Sequence, residues 1–198
     1  MVSSAMNNSY RDGIEIVYRS DNRRLFDLKR EEIARASVLC KKEISPVYLK
    51  KALKRADVVV LAHDVYKNDI RGSLRGFATL QMDKYPGFVY LDVICRGTST
   101  GMNFRGKPRA APGRSMIDAI KSVVRRTNSQ GIVLTALESV IGYYTRLGFR
   151  AVRSRKRMRQ IDCPGYRTEN DQDRNIYNDI TAEGDTTFMR WCARRAGV

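Results

Sequence analysis

One histidine, one tryptophan, five prolines and four cysteines are all that the 198 residues hold of these types, and each scarcity excludes something. With a single His63, and with Cys40, Cys95, Cys163 and Cys192 far apart and never in C-x-x-C spacing, a structural zinc site is not expected. Cys40 and Cys95 sit in apolar patterns and read as reduced core thiols, which fits an intracellular compartment. No apolar run approaches the roughly 20 residues that span a bilayer. The opening stretch MVSSAMNNSY lacks the basic region and apolar core of a secretory signal, so the expected protein is soluble and not secreted. No internal repeat is present. Acidic residues are also short: 21 Asp and Glu stand against 37 Lys and Arg, a net charge of +16. Such a balance favours polyanions, whether nucleic acid, an anionic surface or a phosphate-rich cofactor, and it says nothing about fold.

What remains is 42% hydrophobic, enough for one well-packed domain over 13–198 behind a flexible leader at 1–12. Ile14 to Tyr18 reads as a first strand. Asp21 to Ile44 reads as a helix capped by Asp21, and Ser45-Pro46 opens a second helix to about Arg55. Val58 to Ala62 is a buried strand, Asn68 to Ser73 a turn, Arg75 to Asp83 a third strand, and Phe88 to Cys95 a fourth beyond the turn Tyr85-Pro86-Gly87. Apolar Met116, Ile117, Ile120, Val123 and Val124 have helical spacing over 113–127. The next strand, Ile132 to Leu137, completes a βαβ unit with parallel strands. Ser139 to Arg146 is a short helix stopped at Gly148; Phe149 to Arg153 is extended, Asp162 to Asp185 a polar excursion, and Thr186 to Cys192 a last strand. The order is α+β with a mixed sheet.

Three stretches bear on chemistry. Gly101 to Lys107 matches G-x-x-x-x-G-K, but Pro108 stands where a P-loop has Ser or Thr and offers neither hydroxyl nor N–H, so nucleotide hydrolysis is disfavoured. Pro108-Arg109-Ala110-Ala111-Pro112-Gly113 is a small-residue turn opening the third helix, to be read as a phosphate cradle or as a plain helix start. Tyr144 to Phe149 has the form Y-x-x-x-G-F just after a buried strand.

Together the fourth strand, this turn and Y-x-x-x-G-F resemble the GNAT superfamily of N-acetyltransferases, over about Arg75 to Val152. The family carries Q/R-x-x-G-x-G/A after its fourth strand; here Ala111 and Gly113 take the small-residue positions and Pro108 the place of Gln or Arg. The resemblance implies a mostly antiparallel mixed sheet splayed between strands four and five, with helices on both faces, and an acetyl-CoA-dependent enzyme acting on an amine: a protein lysine or N-terminus, a polyamine or a small amine. It places cofactor contacts at Val93, Ile94 and Cys95 of strand four, at Lys107, Arg109, Ala110, Ala111, Gly113, Arg114 and Ser115 around the turn, and at Tyr144.

By the same resemblance Tyr144 protonates the leaving thiolate; as a residue alone it also reads as a core aromatic. For the general base, Asp92 and Glu138 are candidates beside simpler roles as a strand-end hydrogen-bonder and a first-turn helix acid; His63 is a third, equally readable as structural. Six of the ten residues from Arg150 to Arg159 are cationic, either a solvated edge strand or a polyanion surface. The alternative function is a catalytically degenerate member of the same fold serving as a basic, nucleic-acid-associated binding module.

Overall fold

The computed structural model describes residues 13–40, 43–65, 71–97, 112–152, 163 and 186–193. The expected leader at 1–12, the P-loop-like Gly101 to Lys107, most of the polar excursion and 153–159 of the basic run lie outside them.

In chain order the elements are β1 (Ile14–Tyr18), α1 (Arg23–Arg35), a 3-10 turn (Ser37–Cys40), α2 (Pro46–Arg55), β2 (Val58–Val65), β3 (Arg71–Tyr85) and β4 (Phe88–Arg96). Then come α3 (Gly113–Arg126), β5 (Gly131–Leu137), a second 3-10 turn (Glu138–Val140), α4 (Ile141–Arg146), β6 (Arg150–Ala151) and β7 (Thr186–Cys192). The strand order is β1-β2-β3-β4-β5-β7-β6. Only β4 and β5 among the described pairs run parallel, over Phe88–Leu91 against Gly131–Leu134, as the βαβ spacing requires. β1 on β2, β5 on β7 and β6 on β7 are antiparallel.

Local chemistry sets the boundaries. The cap of the first helix lies one residue beyond Asp21, because the Asn22 side chain accepts from the Leu25 amide at 2.9 Å and the helix starts at Arg23. It also ends earlier, at Arg35, and the chain tightens into the 3-10 turn instead of running to Ile44. α2 begins as expected: Ser45 accepts from the Tyr48 amide at 3.1 Å and Pro46 takes the first helical position. β3 starts at Arg71, so Gly72 and Ser73 are strand rather than turn. Gly87 turns the β3–β4 connection with φ +76°, a conformation glycine adopts without steric cost. A Cβ at Gly131, the first residue of β5, would collide with the Trp191 carbonyl oxygen of β7.

The chain divides into two compact units. One comprises Met1–Thr79 with Val93–Ala119; its core gathers Phe26 and Ile33 of α1, Leu49 and Leu53 of α2, Val59 and Leu61 of β2, Phe77 of β3, and Val93 and Cys95 of β4. The other comprises Leu80–Asp92 with Ile120–Val198; a cluster there joins Tyr85, Phe88, Tyr90, Val133, Cys163 and Phe188.

Each unit holds one disulfide, Cys40–Cys95 in the first and Cys163–Cys192 in the second. This overturns the reading of Cys40 and Cys95 as reduced thiols, and with it the compartment argument drawn from them. Their apolar surroundings were correctly read, but burial is equally the setting of a disulfide, and the two cysteines are 55 residues apart in sequence.

Candidate active site

The first unit brings the start of α3 to the end of β4. α3 is strongly amphipathic: Met116, Ile117, Ile120, Val123 and Val124 are buried at the spacing of one helix face. From its first turn the Met116 side chain reaches β3 at Gly76, which has no side chain. A Cβ there would lie 3.0 Å from Met116 Cε and 3.1 Å from the Cys95 carbonyl oxygen. The Gly97 amide donates to the Arg75 carbonyl at 2.7 Å, holding the end of β4 on β3. Met116 in the first turn of α3 and the Cys95 carbonyl on the strand end named by the resemblance thus meet at Gly76.

The amide of Met116 donates to the Pro112 carbonyl at 2.9 Å, closing the first turn. Pro112 carries no side-chain oxygen that could cap the helix, and the first turn holds no acidic residue. The amides of Gly113, Arg114 and Ser115 therefore lie at the positive end of the helix dipole with no acidic residue in that turn to offset it. Gly113 is buried, while Arg114 and Ser115 are exposed. A phosphate fits this donor set: backbone N–H groups, a close glycine and one guanidinium. Lys107, Arg109, Ala110 and Ala111 lie outside the described residues.

On β4, Val93 and Cys95 are buried and Ile94 is half-buried. The Cys95 sulfur is bonded to Cys40 and has no thiol chemistry of its own.

In the second unit, α4 presents Tyr144. Tyr144 is buried, its ring 5.3 Å from that of Tyr143 and 5.4 Å from that of Phe149, both edge to face. Gly148, with φ +90°, ends the helix; its amide donates to the Thr145 carbonyl at 3.0 Å, and the next amide, Phe149, donates to Tyr144 at 3.1 Å. This is a Schellman motif. Lys121 of α3 adds a bond to the Leu147 carbonyl at 3.2 Å, with its ammonium 5.0 Å from the Trp191 ring.

Asp92, half-buried on β4, accepts a 2.6 Å hydrogen bond from Gln81 of β3. Gln81 is not a site candidate on the sequence; its only trace there is a polar residue between Leu80 and Met82. Glu138 is exposed and opens the 3-10 turn after β5.

His63 belongs to another cluster. Its Nε2 lies 2.7 Å from Glu32 Oε1, while Lys29 Nζ lies 2.7 Å from Glu32 Oε2 and 3.2 Å from Glu15 Oε2. Burial by itself would raise the Glu32 pKa, but hydrogen bonds and charge from Lys29 and His63 prevail and hold it below its ordinary value. Burial by itself would lower Lys29, yet its two carboxylate partners leave it raised. Glu15, Lys29, Glu32 and His63 tie α1 to β1 and β2, the structural role open to His63 from the sequence.

This chain has the fold of the GNAT superfamily of N-acetyltransferases. The IAA acetyltransferase from Bacillus cereus superposes with a TM-score of 0.51 at 13% identity, over 91% of this chain and 98% of that one. Tetrahymena GCN5 superposes with a TM-score of 0.50 at 14% identity, over 93% of this chain and 98% of that one. No protein-family model and no curated protein sequence matches the chain.

Proposed function

We propose that the protein is an acetyl-CoA-dependent N-acetyltransferase. The observation that carries this reading is the start of α3. Its first turn holds no acidic residue and opens on a buried glycine, and its Met116 side chain packs at Gly76 beside the Cys95 carbonyl at the end of β4. The backbone amides of Gly113, Arg114 and Ser115 bind the cofactor pyrophosphate, with the Arg114 guanidinium adding charge. Lys107, Arg109, Ala110 and Ala111 extend this cradle. The backbone of Val93, Ile94 and Cys95 pairs with the pantetheine arm and orients the acetyl carbonyl.

The thioester supplies an acyl carbon open to attack and a thiolate leaving group. The acceptor amine forms the new C–N bond as the C–S bond breaks. Tyr144 donates its phenolic proton to the departing sulfur; a phenol is protonated at neutral pH and suits this task. Asp92, fixed by Gln81, or the exposed Glu138 takes the proton released by the amine, directly or through water.

Calorimetric titration with acetyl-CoA, followed by turnover on a panel of amines, tests the reading. Binding together with thiol release on at least one amine supports it. Binding without turnover favours the degenerate-fold alternative, and absence of binding removes the cofactor site.

A further inference from the structure

The outward face of α2 belongs to none of the chemistry above. Leu49, Ala52 and Leu53 are buried against the core of the first unit. The rest of the helix is exposed: Val47 and Tyr48 in the first turn, then Lys50, Lys51, Lys54 and Arg55. On a helix, Lys50 and Lys54 form one ridge and Lys51 and Arg55 the next, each pair one turn of about 5.4 Å apart. α2 contains no acidic residue. Among the described residues no carboxylate pairs with Lys50, Lys51 or Lys54. The nearest acid in sequence on the C-terminal side, Asp57, lies 3.9 Å from the Arg19 guanidinium, and Arg19 also donates to the Lys54 carbonyl at 2.9 Å. Glu43 is the one acid shortly before the helix. At the edge of this basic face the ring of Tyr48, 41% exposed, lies 5.7 Å from the Arg55 guanidinium.

We infer that this face of α2 binds a single-stranded nucleic acid, with Lys50, Lys51 and Lys54 on successive phosphates and Tyr48 stacking on a base. Four cations on the outward side of a helix that holds no acid, in a chain of net charge +16, supply the sequence-independent attraction that counterion release makes favourable. An aromatic ring beside that stripe is the element by which proteins hold unpaired bases. An anionic membrane shares the charge requirement. However, the apolar face that such a helix would insert is here spent on the protein core, leaving only Val47 and Tyr48. The inference does not depend on acetyl transfer, since no residue of α2 is placed in the cofactor site.

The test is fluorescence anisotropy of the full chain with a labelled oligothymidylate and an oligouridylate, from 50 to 200 mM salt. In the Lys50→Gln/Lys51→Gln/Lys54→Gln variant the slope of log K against log salt should flatten by about 2, at about 0.7 for each phosphate that is no longer neutralised. Tyr48→Ala should weaken binding by about 5- to 150-fold at unchanged slope. Arg23→Gln/Arg24→Gln/Arg125→Gln, which removes the same charge from exposed positions elsewhere, should leave the slope in place. An unchanged slope in the α2 variant overturns the assignment, as does an equal loss in the charge-matched control. So does binding to phosphatidylserine vesicles but to neither oligonucleotide, or no oligonucleotide binding at 50 mM salt. Calorimetry with acetyl-CoA on the same variants reads the cofactor site separately.

Discussion

The amide of Phe149 donates to the carbonyl of Tyr144 at 3.1 Å, and the two rings meet edge to face with centroids 5.4 Å apart. The spacing Y-x-x-x-G-F is therefore a helix stop in its own right: Tyr144 and Phe149 make the hydrophobic contact of the Schellman motif, and Gly148 supplies its left-handed residue. Gly148→Ala should cost about 1–2 kcal/mol in urea unfolding, because a Cβ is strained at φ +90°. An unchanged midpoint would show that the chain leaves α4 by another route.

The same motif carries the proposed acid, so packing and chemistry must be separated. Tyr144→Phe keeps both ring contacts and removes one hydroxyl. It should reduce kcat on the order of 100-fold while acetyl-CoA affinity and melting temperature stay close to wild type. Tyr143→Phe, on a different face of the short helix, should be mild. Equal effects from the two substitutions would return Tyr144 to a packing role.

Ser115→Glu tests the cradle without damaging the helix. A carboxylate in the first turn of α3 complements the dipole, so thermal stability should hold or rise slightly. The same charge repels a pyrophosphate and should weaken acetyl-CoA binding by about 10-fold or more in calorimetry. Undiminished affinity would exclude this helix start as the phosphate site.

The cluster around Lys29 gives the fold a two-sided pH dependence. The Glu32 pKa is depressed below 4.5 despite its burial, through Lys29 and His63. Its stabilisation is thus complete above that value and is lost as pH falls through the depressed pKa. The Lys29 pKa is raised above 10.5 by Glu32 and Glu15, against burial. Its share is complete below that value and is lost as pH rises through the raised one. Lys29→Met should cost about 3–5 kcal/mol at pH 7, since it removes the ammonium shared by buried Glu15 and half-buried Glu32. It should also flatten the acid limb of a melting-temperature profile; an acid limb as steep as wild type would assign that limb to other carboxylates.

Both disulfides should be present in the protein purified without reductant, leaving no thiol to alkylate under denaturing conditions. They close loops of 55 and 29 residues by sequence separation. Chain-entropy estimates give at most about 4 and about 3.5 kcal/mol for loops of these sizes. A phosphine reductant should therefore lower the melting temperature by several degrees. Alkylation of all four cysteines in the native protein would disprove the pairing.

Local chemistry was legible in the sequence, and long-range pairing was not. Ser45-Pro46 announced α2, Gly148 announced the end of α4, and the βαβ spacing announced parallel β4 and β5, because each signal lies within a few residues of what it controls. Asp21 and Asn22 are both competent caps; only the reach of Asn22 to Leu25 decides between them. The partner of Cys95 is 55 residues away and that of His63 is 31, distances at which composition carries no pairing information. Among the candidate site residues, Gly113 and Tyr144 are legible in the sequence. Gly76 and Gln81, which position the α3 turn and Asp92, escaped notice because their meaning depends on neighbours that only the folded sheet supplies.

Trp191 is the only tryptophan in the chain. On β7 it pairs with Ile132 of β5, its carbonyl covers Gly131, and its ring lies 5.0 Å from the Lys121 ammonium. Its emission is consequently a private optical reporter for one of the two units. A melt followed at this single fluorophore, set beside one followed by far-ultraviolet circular dichroism, needs no labelling. Coincident curves would identify one cooperative transition, and separated curves would give each half of the chain its own melting temperature.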